Sequence, residues 1–301
     1  MLDRSTIAGI TLVAAITLLL IINPKTGVDG KPEVTTQSTE ITQPVDYFGG
    51  LELEAKAIVV LDINEDKIMY ERNSRAELPL ASLTKILTAI TVLETLPEGW
   101  TVEIDNDTIN TQGDSGFYLD EKWKVEDLIN LMLVSSINDG AEALAKATED
   151  YSRKNFIQLM NIKADKIGLE NSYFLNPSGL DLSDTLSGSY GTALDMARLM
   201  AYAYLKHDDI FDVTTVRSLE EMSESGLKHS YNNTNTFLEA SPGLLVSKTG
   251  FTDLAGGNLV TVFDASIGRP IAIVILGSTS EARFSDTLKL TESTIKMLAN
   301  Q

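Results

Sequence analysis

The chain has 301 residues, with 24 Lys plus Arg, 43 Asp plus Glu, two His and no Cys, and a formal net charge of −19. Without cysteine it has no disulfide framework, no Cys-ligated zinc or iron–sulfur site and no thiol nucleophile. Two histidines do not favour a multi-His metal centre, and the negative charge argues against a nucleic-acid partner because phosphates would be repelled. The balance of 43% hydrophobic and 22% charged residues is typical of a folded globule.

The N-terminal segment, residues 5–24, carries no charge and is nearly all Ile, Leu, Val, Ala and Thr between Ile7 and Ile22. As a helix with a rise of ~1.5 Å per residue it would reach ~30 Å, the thickness of a hydrocarbon core. A cleaved signal peptide is the alternative, but its apolar stretch is usually shorter and no small-x-small cleavage site follows. We therefore predict a transmembrane anchor over residues 1–24 and a flexible, Gly-, Pro-, Thr- and Ser-rich tether over residues 25–50.

The first half of the globule, which we expect to start at residue 51, is predicted to contain a hairpin followed by helices. Residues 57–63 and 67–71 flank the turn at 64–66, which is typical of two paired strands. Residues 82–94 are apolar on almost every side, which predicts a central, buried helix. Further helices are predicted over residues 125–134, from 141 to 148 onward, over 155–167 and over 193–205.

The C-terminal third is predicted to return to strands. They cover residues 243–250, 258–263 and 271–276, with a turn at Gly268-Arg269-Pro270, and a closing helix follows over 284–298. Strands at both ends of a domain with helices between them predict one antiparallel sheet covered by helices, with an inserted helical cluster. The expected fold class is therefore α+β, with residues 51–301 as one domain.

Three short motifs occur in order: S-x-x-K at Ser82 and Lys85, S-x-N at Ser136 and Asn138, and K-T-G at 248–250. Penicillin-binding proteins and class A β-lactamases carry motifs of this kind. Each motif alone is weak evidence, because each occurs elsewhere in the chain. S-x-x-K recurs at Ser225 and Ser293, S-x-N at Ser230, and K-T-G at Lys25. Ser225 lies in a polar, turn-like stretch and Ser293 in the closing helix, and both are interpreted as surface positions.

The first motif has the spacing that nucleophilic catalysis requires, because residues three apart on a helix are neighbours on one face. Burial in an apolar helix disfavours the ammonium form of Lys85, which makes the amine a proton acceptor for Ser82. The helix N-terminus would also favour negative charge on the attacked carbonyl oxygen. The alternative is a capping serine followed by a surface lysine.

The other two motifs have settings that suit a cleft. Ser136 and Asn138 are predicted in a loop between two helices, from which side chains can project into a site; the alternative is an ordinary helix C-cap and turn. Lys248 lies in a predicted strand, whereas Lys25 lies in the tether. A strand edge supplies backbone N–H groups for an oxyanion, and a lysine can bind a substrate carboxylate.

These motifs and their surroundings resemble the serine D-alanyl-D-alanine carboxypeptidases, the low-molecular-mass penicillin-binding proteins of peptidase family S11. The resemblance covers residues 51–300 and is more specific than any single motif. Its blocks, in the order of the family, are residues 78–85, Asn110-Thr111 through Gly116 to Leu119, residues 176–181, residues 248–252 with Ala255-Gly256, and Arg283-Phe284 with Asp286.

The resemblance implies a role for each matching residue. Ser82 would be the acylated nucleophile, Lys85 the base that activates it, and Ser136 a proton relay to the leaving group. Asn138 would position the substrate amide. Lys248 and Thr249, with Gly250 of the same motif, would bind the terminal carboxylate. The backbone N–H groups of Ser82 and Phe251 would bind the oxyanion. Arg283 is either a further carboxylate partner or part of an ordinary surface ion pair at a helix start.

The function implied is a membrane-tethered serine carboxypeptidase that removes the terminal D-alanine from peptidoglycan stem peptides through an acyl-enzyme. β-Lactams are expected as covalent inhibitors, and neither a metal nor an organic cofactor is expected. Family proteins often carry a β-rich second domain and a C-terminal amphipathic helix; neither occurs before Gln301, so we expect the N-terminal segment to anchor the chain. The catalytic domain would then lie on the extracytoplasmic side of the cell membrane.

Three alternatives share the motifs. A DD-endopeptidase would use the same residues on cross-linked peptides. A class A-like β-lactamase would need an E-x-x-L-N loop, and residues 170–176 have the wrong spacing. A catalytically silent wall-binding module would have no chemical need to keep the whole set of residues together. A Ser-His-Asp triad is not favoured, because His207 is predicted at a helix end and His229 in a polar loop.

Overall fold

The computed structural model describes residues 45–109, 111–113 and 115–300, and residues 45–301 group into one unit. The predicted anchor, most of the tether and Asn110 lie outside the described residues. Within the predicted tether, Phe48 is buried and stacks on Tyr70 with their ring centroids 4.9 Å apart. The packed globule therefore includes residues before the expected start at 51.

In chain order the elements are β1 (Ala57–Asp62), β2 (Lys67–Arg72), β3 (Leu78–Pro79), α1 (Thr84–Leu93), β4 (Thr101–Glu103), β5 (Lys122–Lys124), α2 (Val125–Ser135), α3 (Asn138–Ser152), α4 (Phe156–Ile167), β6 (Tyr173–Phe174), β7 (Ser189–Gly191), α5 (Ala193–Lys206), α6 (Asp208–Phe211), β8 (Ser218–Met222), β9 (Lys228–Asn232), β10 (Leu244–Thr252), β11 (Gly256–Asp264), β12 (Pro270–Ser278) and α7 (Ala282–Ala299). Within the described part of the chain, no helix has the length and apolar character needed to cross a membrane.

The main sheet has five antiparallel strands in the order β10-β11-β12-β1-β2. All six residues of β1 are buried, because helices cover both faces of the sheet. Alternate residues of a strand point to opposite faces: Val59 packs into the core beneath the helical cluster, and Ile58 packs into a second core with Phe284 and Leu290 of α7. The α+β fold with an antiparallel sheet covered by helices is thus confirmed.

Helix α1 lies at the centre of the molecule. Its residues from Thr84 to Val92 are all buried, and it packs against α2, α3, α4 and α5. A helix surrounded by other elements has no need of a polar face, which explains its apolar sequence. Ser82 lies just before it, in a 3₁₀ turn formed by Ala81–Leu83.

Two predicted connections differ from the structure. Helix α3 begins at Asn138 instead of 141, so that only Ser136 and Ile137 separate it from α2. Ser136 ends α2 in the left-handed conformation, with a φ of 62°, and the chain reverses within these two residues. The polar stretch after residue 217 forms the hairpin β8–β9. Its inward face mixes Leu219 and Tyr231, which pack against the core, with Glu221 and His229, so the apolar alternation that predicts a strand is weak.

Candidate active site

The first two motifs meet around the side chain of Lys85. Its Nζ lies 3.1 Å from Ser82 Oγ, and it donates hydrogen bonds to Asn138 Oδ1 at 2.7 Å and to the Ser178 carbonyl at 2.6 Å. Ser82 and Lys85 are one turn apart, and Asn138 arrives from the first turn of α3. The arrangement brings a hydroxyl, an amine and a carboxamide together, as nucleophilic catalysis with a lysine base requires.

The edge strand β10 runs along the turn that carries Ser82. A Cβ at Gly250 would lie 2.9 Å from the Leu80 carbonyl oxygen and 3.2 Å from the Ser82 nitrogen, so only glycine allows this approach. The next residue, Phe251, is 53% exposed. The backbones of Ser82 and of the strand edge therefore lie side by side, where N–H groups from both can converge on one oxygen.

Burial controls the charge of Lys85. The side chain is fully buried, and loss of hydration lowers its pKa from 10.5 to about 7, although the negative charges of Glu142 and Asp139 act in the opposite direction. Near neutral pH, a large fraction of the side chain is thus the uncharged amine. An amine 3.1 Å from a serine hydroxyl can accept its proton.

The second lysine, Lys248, connects the K-T-G motif to the S-x-N motif. Its Nζ donates to Ser136 Oγ at 2.9 Å and to the Thr249 carbonyl at 3.1 Å. Burial, followed by the positive charges of Lys85 and Arg283, lowers the pKa of Lys248 well below its usual value. An incoming carboxylate would relieve this repulsion, so the cluster suits an anionic substrate group.

The Thr249 side chain is held in place by a residue outside the three motifs. Its hydroxyl donates to the Thr234 hydroxyl at 2.6 Å, and Thr234 lies two residues after the end of β9. Sequence reasoning missed Thr234, since a single threonine in a polar stretch carries no signal.

Arg283 is buried, with 9% of its surface exposed, and its Nη1 donates to the Gly250 carbonyl at 2.8 Å. The surface ion pair considered for it is wrong, because the guanidinium lies under the sheet edge and binds backbone. It joins α7 to β10 directly behind the K-T-G motif, and burial lowers its pKa.

Two backbone carbonyls complete the site, and side-chain motifs could not reveal them. Asn138 Nδ2 donates to the Gln112 carbonyl at 2.8 Å, and Lys85 binds the Ser178 carbonyl. Both carbonyls belong to segments that carried the family resemblance. The segment around Ser178 is held by Asn176, whose Oδ1 accepts the Gly179 N–H at 2.7 Å, and by Asp181, which accepts the Thr252 hydroxyl at 3.0 Å.

Of the repeated motif positions, Ser225 and Ser293 lie apart from the site, and Lys25 lies outside the described residues. Ser225 lies in the turn between β8 and β9, where its Oγ accepts the Lys122 N–H at 3.0 Å. Ser293 lies within α7 and is buried, so its interpretation as a surface position was wrong.

The histidines lie in structural positions. His207 ends α5, as predicted, with Nε2 at 3.3 Å from Glu94 Oε1. His229 was expected in a polar loop but lies in β9, buried, with Nε2 at 2.8 Å from Glu121 Oε1. It packs among Phe117, Trp123 and Tyr231, an aromatic environment that a loop would not provide.

A serine–lysine pair at a helix start, beside the edge strand of a helix-covered antiparallel sheet, is shared by the active-site-serine DD-peptidases, the penicillin-binding proteins and the class A β-lactamases. The family model described as D-alanyl-D-alanine carboxypeptidase, peptidase family S11, matches residues 38–280. The chain therefore belongs to the S11 family.

Individual relatives support this assignment. The D-alanyl-D-alanine carboxypeptidase DacF of Bacillus subtilis is 31% identical over 243 residues, which cover 79% of this chain and 61% of DacF. The D-alanyl-D-alanine endopeptidase of Escherichia coli is 28% identical over 266 residues, 85% of this chain and 80% of that protein. The ampicillin-bound structure of penicillin-binding protein D2 from Listeria monocytogenes has a TM-score of 0.67 at 29% identity and covers 81% of this chain and 98% of that one.

Proposed function

We propose that this chain is a serine carboxypeptidase that releases the terminal D-alanine from peptidoglycan stem peptides. The observation that carries the proposal is the contact of 3.1 Å between Lys85 Nζ and Ser82 Oγ, with the pKa of the lysine at about 7. A base whose pKa is close to the working pH is the most effective proton acceptor.

In the first step the amine of Lys85 accepts the Ser82 hydroxyl proton while Ser82 Oγ bonds to the carbonyl carbon of the penultimate D-alanine. The bond from that carbon to the terminal D-alanine nitrogen then breaks; the departing amine takes up a proton through the Ser136 hydroxyl, and Lys85 gives up the proton that it gained from Ser82. Water hydrolyses the resulting ester and frees Ser82. Lys248 and Thr249 bind the terminal carboxylate, whose charge raises the pKa of Lys248 again.

The same nucleophile would open a β-lactam ring and keep the product as an ester. The relative in Listeria monocytogenes is described in its ampicillin-bound form, which supports β-lactams as covalent ligands of this chain. The chemistry uses only side chains and backbone groups of the protein, and it requires no cofactor.

Penicillin labelling followed by peptide mapping tests the assignment. We expect one covalent adduct, on Ser82, and none in the Ser82→Ala variant. An adduct on another residue, or no adduct in the wild-type chain, would refute the proposal.

A DD-endopeptidase is the second candidate, favoured by the match to the Escherichia coli endopeptidase over 80% of that protein's length. Release of D-alanine from a pentapeptide distinguishes a carboxypeptidase from an enzyme that cleaves only cross-linked dimers. Turnover of a β-lactam without release of D-alanine would indicate a β-lactamase instead. If neither D-alanine, nor cleaved dimer, nor hydrolysed β-lactam is formed, the chain is a silent binding module.

For the location we propose a membrane-anchored chain with the catalytic domain on the extracytoplasmic side, where peptidoglycan lies. The uncharged run at residues 5–24 supports this proposal. The intact mass of membrane-extracted protein tests it, because loss of about two dozen N-terminal residues would indicate a cleaved signal peptide.

A further inference from the structure

A threonine outside the three motifs lies against the residue that is proposed to bind the substrate carboxylate. Thr249 Oγ1 donates a hydrogen bond of 2.6 Å to Thr234 Oγ1. Thr249 is 4% exposed, and Thr234 is half-buried. A separation of 2.6 Å is at the short end of the range for a hydrogen bond between two hydroxyl groups. The two side chains therefore hold each other in place.

The segment that carries Thr234 joins two elements of the candidate site. The Thr234 N–H donates to the Val134 carbonyl, near the end of α2, at 3.1 Å. The next side chain, Asn235, donates to Ser247 Oγ at 3.1 Å. Ser247 and Thr249 are two residues apart on β10 and so lie on the same face of the strand. The segment thus bridges α2 and β10, and it fixes Thr234 against the K-T-G motif.

The two hydroxyl groups have one hydrogen each to donate. Thr249 uses its hydrogen on Thr234, whereas Thr234 directs its own at the Val134 carbonyl over 3.4 Å. That distance is longer than usual for a hydroxyl hydrogen bond, so the hydrogen of Thr234 is weakly engaged. A carboxylate only accepts hydrogen bonds. Thr249 can therefore bind a carboxylate only after its hydrogen has turned away from Thr234.

We propose that Thr234 is a positioning residue of the carboxylate site: when a carboxylate binds, the hydrogen bond between the two threonines reverses. Thr234 then donates to Thr249, and Thr249 donates to the carboxylate. This inference rests on the proposed function, in which Thr249 binds the terminal carboxylate. The reversed bond keeps the Thr249 side chain in place, and a hydroxyl that accepts a hydrogen bond becomes a stronger donor itself. No covalent bond forms or breaks in this step.

A double-mutant cycle on the full chain tests the proposal, with penicillin as the probe because it carries a carboxylate beside its β-lactam ring. Thr234→Val keeps the shape of the side chain and should lower the second-order rate constant of acylation about fivefold. Thr249→Val should lower it about tenfold. Because Thr234 acts through Thr249, the double variant should stay within about twofold of Thr249→Val.

A ligand without the carboxylate separates a role in carboxylate binding from a structural role. Penicillin methyl ester has the same ring but carries no negative charge. The preference of the chain for penicillin over the ester, taken as the ratio of the two rate constants, should fall about fivefold in Thr234→Val. A residue that only maintained the structure would slow both reactions by the same factor and leave the ratio unchanged.

Three further variants serve as controls. Thr234→Ser keeps the hydroxyl and should restore the wild-type rate to within about twofold. Thr236→Val makes the same substitution at an exposed position of the same segment and should leave the rate unchanged. Thr234→Ala also lacks the hydroxyl, and it takes the place of Thr234→Val if that variant does not fold.

Several results would overturn the inference. Faster acylation in Thr234→Val would show that Thr234 only competes for the Thr249 hydrogen. An unchanged rate in Thr234→Val or in Thr249→Val, or losses that multiply in the double variant, would show that the two hydroxyls do not act together on the carboxylate. Any of these results with normal labelling of Ser82 in the wild type would leave the proposed function intact. Failure of the wild-type chain to label would refute the proposed function instead.

Discussion

At the residue scale, Lys85 combines full burial with three hydrogen bonds, to Ser82, Asn138 and Ser178. The bonds hold the amine beside the nucleophile, and burial removes the hydration that an ammonium ion needs. The reactivity of the site therefore depends on a group that opposes folding, because the unfolded chain would keep this lysine charged and solvated.

We expect the free-energy cost of burying Lys85 to appear when the stability of the wild type is compared with that of the Lys85→Met variant. The folded pKa of about 7 is below the unfolded value of 10.5, so between them only the unfolded chain binds the proton. The penalty on folding is full below about pH 7 and is lost as the pH rises through 10.5. The free energy of unfolding of the wild type, relative to Lys85→Met, should increase by about 2 kcal/mol between about pH 7.5 and 9.5.

Urea denaturation at several pH values measures this difference. Lys154→Met, at an exposed position, serves as the control and should show no such trend. A difference between wild type and Lys85→Met that stays constant with pH would contradict a lowered pKa.

At the element scale, the segment 176–181 contains the Ser178 carbonyl that accepts a hydrogen bond from Lys85. Gly179 has a φ of 79°, and a Cβ there would collide with the Ala81 carbonyl and lie 2.6 Å from Thr84 Oγ1. The segment thus packs directly against the turn before α1. This close approach explains why a glycine is needed next to the Ser178 carbonyl that binds Lys85.

Gly179→Ala should therefore lower the free energy of unfolding by about 3 kcal/mol or more and slow penicillin acylation. Gly226→Ala is a matched control, because Gly226 has the same φ of 79° but nothing within 4 Å of the added Cβ. That variant should lose only about 1 kcal/mol, from backbone strain, and label normally. Equal losses in the two variants, measured by thermal and urea denaturation, would show that the packing against Ala81 is unimportant.

The elements also show where sequence patterns suffice. The apolar run of α1 predicts a buried helix, and burial of Thr84 to Val92 agrees with it. The hairpin β8–β9 was not predicted, because its inward face carries Glu221 and His229 beside Leu219 and Tyr231 and so has only a weak apolar pattern. Its position depends on tertiary contacts, such as the pairing of His229 with Glu121, whose partners are 108 residues apart.

At the scale of the whole molecule, the first and last strands within the described residues are neighbours: β1 pairs with β12 inside the five-stranded sheet. The sheet can therefore form only when both ends of the domain are present. The unit described begins at Val45, and the candidate site lies entirely within it.

A chain that begins at Val45 should consequently fold and be acylated by penicillin at a rate within about twofold of the full chain. A chain that begins at Ala55 loses Phe48 from its stack on Tyr70 and should lose about 2 kcal/mol of stability. Circular dichroism melting and penicillin labelling check both. Loss of labelling in the Val45 chain would show that residues 1–44 contribute to the site.

The sequence by itself determined the α+β class and singled out the serine, lysine and asparagine side chains that meet in the candidate site. Periodic apolar patterns set the local elements, and the spacing of Ser82 and Lys85 is meaningful on any helix. Only the tertiary structure decided what surrounds them. The carbonyls of Gln112 and Ser178 are backbone groups that every residue has, and the direction of Arg283 depends on how α7 packs against β10. No sequence pattern records such contacts, because they join segments that are distant along the chain and meet only when the sheet and the helices have assembled.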